Sequence, residues 1–135
     1  MAGTDLNIFS VAGRAMSAQQ VRMNTAASNL ANASAVAGKE ADAYRPIKAV
    51  FATQMDKATG LSTVNVAGVV RANATPVRQH DPGNPLADEN GDVWAAPVDE
   101  SAEMVEMLDS SRQYQNLVET LSTAKQLMLD TIRMK

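Results

Sequence analysis

The sequence predicts a mainly α-helical fold with a small β-rich middle, its long N- and C-terminal helices paired as a coiled-coil-like hairpin. Near the N-terminus Leu6, Phe9, Gly13, Met16, Gln20, Met23, Ala27 and Leu30 follow unbroken steps of three and four. Near the C-terminus Met104, Met107, Ser111, Tyr114, Val118, Leu121, Lys125, Met128 and Ile132 do the same. Residues at this spacing share one side of a helix, and several heptads of them favour the narrow seam of a coiled coil. The middle breaks the rhythm, with β-branched runs and then four of the five prolines between residues 75 and 97.

The first helix can be capped by Thr4 or Asp5, whose side-chain oxygens can accept from first-turn amides, and it should run to about Leu30 or Ala33. Gly13 on its seam would let a neighbouring backbone come close, and Gln20 would weaken a simple two-stranded zipper. Residues 34–43 are small, polar and charged and read as a loop. Residues 44–53 carry Pro46 near their start, then Ile47, Val50 and Phe51, which suits a short strand or extended arm. After the turn-like Ala58-Thr59-Gly60, the partial alternation of Leu61, Val64, Val66, Val69 and Val70 favours a second strand. Asn90-Gly91 is a hairpin signal, with Val93 and Trp94 just beyond it. Asp99 offers the last N-cap. Glu100, Glu103 and Glu106 follow it and Arg133 and Lys135 close the chain, a charge order that complements a helix dipole from about Glu100 to Arg133. The expected organisation is therefore residues 1–33 and 99–135 as paired terminal helices, with 34–98 as a loop and β-rich outer segment.

Composition narrows the function. The 135 residues are 45% hydrophobic but include only two Phe, two Tyr and one Trp, so the apolar surface suits close helix packing better than an isolated globular core. Net charge is −3 with Lys and Arg scattered, which argues against nucleic-acid binding and against a polybasic membrane anchor. There is no cysteine, hence no disulfide or thiolate chemistry. The residues before Arg14 hold no apolar run long enough for a secretory signal core, and no stretch approaches a transmembrane helix, so no cleaved signal and no direct membrane insertion are expected.

Candidate chemistry gives way to plainer readings. His80, the only histidine, adjoins Asp81, but neighbouring residues in a Pro-flanked turn do not set up a catalytic relay, so it reads as a surface or packing residue. Asp88-Glu89-Asn90-Gly91-Asp92 lacks the bidentate twelfth-position Glu of a calcium loop and reads as a solvated turn. Asn32-Ala33-Ser34 and Asn73-Ala74-Thr75 match a glycosylation pattern that carries little weight without a signal. The methionines on the two seams read as core or interface fillers. No catalytic residue, cofactor or metal site is expected.

The run Ala26-Ala27-Ser28-Asn29-Leu30-Ala31-Asn32 resembles the hallmark of the flagellar rod, hook and hook-associated axial proteins. Leu6-Asn7-Ile8-Phe9 with Ala15-Met16-Ser17-Ala18-Gln19, Tyr44-Arg45 with Val50-Phe51, and residues 81–88 and 103–128 resemble that family in order and spacing. The short middle fits its proximal-rod members better than the longer distal-rod and hook subunits. Residues 92–99 depart from the family pattern, so the surface after Gly91 is expected to differ. The resemblance implies a structural subunit that stacks helically into a hollow driveshaft joining the motor to the distal rod and hook, with the terminal helices inside and the β-rich middle outside. It implies export through the flagellum-specific channel, a periplasmic basal-body location, and as partners copies of itself, other rod proteins (FlgB, FlgF, FlgG and FliE) and the export apparatus. The assembly interface expected from the residues is the two seams, with Ser28, Asn29, Leu30, Ala31 and Asn32 as the family motif. The competing reading is a helical-hairpin adaptor that binds a partner without polymerising. An enzyme is the third class, and no nucleophile, metal cluster or paired acid and base supports it.

Overall fold

The computed structural model describes residues 8–134, which leaves Leu6, the N-cap candidates Thr4 and Asp5, and Lys135 outside it. Helix α1 (Ile8–Ala31) is 24 residues long and α2 (Glu100–Arg133) is 34, about 36 and 51 Å at 1.5 Å per residue. Asp99 caps α2 as its sequence position predicts, accepting from the Ala102 amide at 3.2 Å, with Glu100 and Glu103 in the first turn and Arg133 in the last. The helices run antiparallel. Asn29 lies beside Glu103, Arg22 beside Glu106 and Asp109, and Ile8 beside the stretch from Asn116 to Leu127.

Between the helices lie two small sheets. Strands β2 (Ile47–Met55) and β3 (Ser62–Arg71) form an antiparallel ribbon, closed where the Asp56 amide donates to the Leu61 carbonyl at 2.8 Å. A bulge interrupts the register: Val50 pairs with Gly68 and Phe51 with Val66, adding local twist to the ribbon. The second sheet has the order β1-β5-β4, from β1 (Val36–Ala37), β4 (Val77–His80) and β5 (Asp92–Ala95), all antiparallel.

Two expectations need correction here. Residues 34–43 are not only a loop: Val36 and Ala37 pair with Ala95 and Trp94, and a 3-10 turn follows at Glu40–Asp42. Chain leaving α1 is thereby stitched to chain about to enter α2, which fixes the closed end of the helical hairpin. Asn90-Gly91 is not the tip of a two-residue hairpin but the last corner of the long connection between β4 and β5. The Asp81 amide reaches the Gly91 carbonyl at 2.9 Å, and Asp88 Oδ1 accepts from the Asn90 and Asp92 amides at 2.9 Å each. Gly91 sits at φ +77°, and a Cβ there would stand 3.0 Å from Pro82 Cβ, so both backbone and space require glycine. The acidic run of the sequence is thus the hydrogen-bonded frame of a turn.

Candidate assembly interface

At the closed end of the hairpin, one amide holds three elements together. Asn29 is 1% exposed, and its side chain fills its whole hydrogen-bonding capacity. Oδ1 accepts from the Ile47 amide and the Tyr44 hydroxyl, both at 2.8 Å; Nδ2 donates to the Ile47 carbonyl at 2.9 Å and to Glu103 Oε1 at 3.0 Å. The Asn29 amide therefore pairs with the Ile47 backbone as a neighbouring strand would, and at the same time binds α2. Asn32, three residues on, donates to the Ser28 carbonyl at 2.8 Å and tightens the end of α1.

Two turns earlier, Arg22 Nε meets Glu106 at 2.7 Å and Nη2 meets Asp109 at 3.0 Å, while Nη1 donates to Gln19 at 2.8 Å. The Glu106 hydrogen bond, with Asp109 adding to it against the cost of burial, raises the arginine's pKa above its ordinary value. On another side of α1, Arg14 Nη1 donates to Thr63 Oγ1 at 3.1 Å and so ties the ribbon to the helix. Helix α1 is consequently a middle layer that packs on α2, β2 and β3.

This layering decides which residues are deepest. In α1 they are Ala12, Ala18, Thr25, Ala26 and Asn29, small or internally bonded groups that let layers approach closely. Of the predicted stripe, Phe9, Gly13, Met16, Met23 and Leu30 are half-buried, Gln20 and Ala27 are exposed, and Leu6 lies outside the described residues. Gly13 faces open space, with nothing beyond its own helix backbone within 4 Å of where a Cβ would stand.

In α2 the inward stripe runs through Glu103, Met107, Ser110, Tyr114, Leu117, Leu121 and Ala124. Met107, Tyr114 and Leu121 are shared with the predicted stripe and Ser111 is half-buried, whereas Met104, Val118, Lys125, Met128 and Ile132 are exposed. Counting apolar residues selects Met104 and Val118, but Glu103 turns inward to bond Asn29. Ser110, fully buried, returns its hydroxyl to the Glu106 and Met107 carbonyls at 2.7 and 3.1 Å. The stripe is rotated about 50° from the predicted one, half of its positions moving by one residue and 100°.

Much apolar surface is left uncovered. On α2, Met104, Val105 and Leu108 are 55–68% exposed, and Leu127, Met128, Ile132 and Met134 are exposed at the far end. The ribbon exposes Val50, Phe51, Met55, Val64, Val66, Val69 and Val70. A groove of about 300 Å³ separates ribbon from helices, lined by Ile47, Phe51, Ala102, Glu103 and Glu106 among others.

The histidine is placed differently from its sequence neighbourhood. His80 Nδ1 lies 2.9 Å from Asp92 Oδ1, not on Asp81, and Arg78 binds the other Asp92 oxygen through Nε at 2.6 Å and through Nη2. Asp92 is buried, and the hydrogen bonds from His80 and then Arg78 hold its carboxyl below the usual range. Cross-strand pairing of His80 with Asp92 sets this contact, and it clasps the two ends of the 81–91 connection. Among the described residues no group of three or more His, Asp or Glu is placed to hold a metal ion, and no helix is long and apolar enough to cross a membrane.

Residues 9–38 match the family described as flagella basal body rod protein, and residues 90–134 match the flagellar basal body rod FlgEFG protein C-terminal family. The flagellar basal-body rod protein FlgC of Salmonella typhimurium is 47% identical over 129 residues, spanning 94% of this chain and 95% of its own. The FlgC proteins of Escherichia coli O157:H7 and Yersinia enterocolitica are 46% and 43% identical over the same shares. The chain belongs to the FlgC family of flagellar rod proteins. In this FlgC-family chain the two matched regions comprise α1 with β1 and β5 with α2, the parts joined by the Asn29 bridge to Glu103 and by the β1–β5 pairing. The ribbon lies between them. Asn29 was visible beforehand as part of a motif, but its partners Tyr44, Ile47 and Glu103 were not, because their convergence depends on a strand 18 residues away and a helix 74 residues away.

Proposed function

We propose that this chain is a structural subunit of the flagellar proximal rod, polymerising helically with copies of itself and with other rod proteins into a hollow shaft that transmits motor torque. The observation that carries this reading, beside family membership, is the apolar surface on α2 and the ribbon that the chain does not cover itself. A self-contained adaptor would gain nothing from exposing so many large side chains, whereas head-to-tail contacts between unlike faces extend as a helix. The load is then borne by many contacts in parallel, and no bond is made or broken.

The seam residues divide into two roles on this reading. Phe9, Met16, Met23, Leu30, Met107, Ser111, Tyr114 and Leu121 hold the coiled-coil-like hairpin, and Gly13, with open space beside it, leaves room for a neighbouring backbone. Gln20, Ala27, Met104, Val118, Lys125, Met128 and Ile132 face neighbouring subunits. The terminal helices form the inner domain and residues 34–98 the outer one, in the periplasmic part of the basal body after export without signal cleavage. Val118→Asp and Ile132→Asp test the idea, since both side chains are exposed and substitution leaves the chain's own packing intact. Loss of motility and absence of the variants from purified basal bodies, with unchanged stability of the isolated chain, is the expected result. Normal motility in both would sink it.

A further inference from the structure

We infer that the β2–β3 ribbon of one copy docks on the outer face of the first three turns of α2 in the next copy, a contact that rests on the rod reading. The ribbon is joined to α1 by Arg14 with Thr63 and Asn65, where Val64 and Val66 line the same groove, and by Asn29 with Ile47. Successive strand residues point to opposite faces, so Val50 and Val70, 40% and 50% exposed, share a face with Lys48, opposite to the Ile47 and Ala49 face that lines the chain's own groove. Across residues 45–71 the charges are Arg45, Lys48, Lys57 and Arg71 against Asp56 alone.

The complementary patch is on α2. Met104, Val105 and Leu108 form the most exposed apolar cluster near its start, and the only charges on residues 100–109 are Glu100, Glu103, Glu106 and Asp109. Glu103 is held by Asn29, and Glu106 and Asp109 by Arg22, so Glu100 is the carboxylate left beside this patch, and Lys48 beside Val50 and Val70 on the ribbon matches it in sign. The two cannot meet within one chain. Ala102 and Glu106 line the groove that separates α2 from the ribbon, and at 100° per residue Met104, Val105 and Leu108 point away from that groove. The partner that presents the missing half is therefore a second copy, and because the two halves differ, the contact is heterologous and does not close on itself as a two-fold dimer would.

The chain has no cysteine, so single thiols report contacts cleanly. Val70→Cys and Leu108→Cys, carried on separate full-length copies in one flagellated cell, should give a disulfide-linked dimer when purified basal bodies are oxidised with diamide. Basal bodies built from either variant alone should give none. Val50→Cys with Val105→Cys provides a second pair on the same two faces. Lys48→Glu should lower incorporation, and Glu100→Lys in the same chain should partly restore it. Basal bodies that contain both cysteine variants but yield no dimer in either pair, or a thiol link to a different rod protein instead, would overturn the contact while leaving the rod reading intact. An unsubstituted chain that never enters basal bodies would overturn the rod reading itself.

Discussion

Asn29→Ala is the sharpest test of how the hairpin is closed. The substitution removes four hydrogen bonds, but their partners differ in what they lose. Tyr44 and Glu103 are half-buried and water can replace the amide there. The Ile47 N–H and C=O are turned toward the buried Asn29 side chain, and each stranded backbone group costs about 1–3 kcal/mol. The sum is about 2–6 kcal/mol, large for a single chain whose whole stability is of order 5–15 kcal/mol. At roughly 3–5 °C per kcal/mol for a domain of this length, the midpoint of thermal unfolding should fall by about 6–30 °C. Urea titration followed by helical circular dichroism gives the free energy directly.

Asn29→Asp separates hydrogen bonding from volume. It keeps the shape and both accepted bonds but sets a carboxylate oxygen against the Ile47 carbonyl and Glu103. Those neighbours raise the new group's folded pKa above its unfolded value of about 3.9. A raised carboxyl pKa penalises the fold most at neutral pH, and the penalty fades as pH falls through the folded value toward the unfolded one. Destabilisation by Asn29→Asp should thus shrink on acidification while that of Asn29→Ala stays level. A loss under about 1 kcal/mol for Asn29→Ala, the net worth of a single ordinary hydrogen bond, would refute the reasoning. So would identical pH profiles for the two variants.

Three further outcomes follow from other contacts. Arg22→Ala should cost only about 1 kcal/mol, because Glu106 and Asp109 are 42% and 49% exposed and solvent screens both pairs; a double-mutant cycle with Glu106→Gln, repeated at high salt, should show the coupling fade. Gly38→Ala should cost about 1–3 kcal/mol, since its Cβ would stand 2.9 Å from the Leu86 carbonyl oxygen; hydrogen exchange should rise across residues 81–91, and unchanged protection there would contradict the contact. Asp92→Asn should destabilise at pH 7, and because the folded carboxyl pKa is depressed, the difference from the unsubstituted chain should disappear as pH falls below the unfolded value of about 3.9 and through the folded one, read by thermal melts across pH.

The helices were legible because their signals are local: an apolar period, Asp99 as a cap, acids at the start of α2 and Arg133 at its end. The ribbon was legible for the same reason, through β-branched runs on either side of a turn. The family was legible in the run from Ala26 to Asn32. What the sequence could not determine is which side of each helix faces inward. Helical periodicity ranks faces by hydrophobicity, whereas burial here goes to small and bonded groups such as Ala12, Ala18, Asn29 and Ser110, since α1 must fit between α2 and the ribbon. Nor could it show that Val36 and Ala37 pair across to Trp94 and Ala95, or that His80 reaches Asp92 instead of Asp81. Local sequence thus determined the elements, and only the tertiary structure decided their facing, because facing depends on what packs on both sides at once.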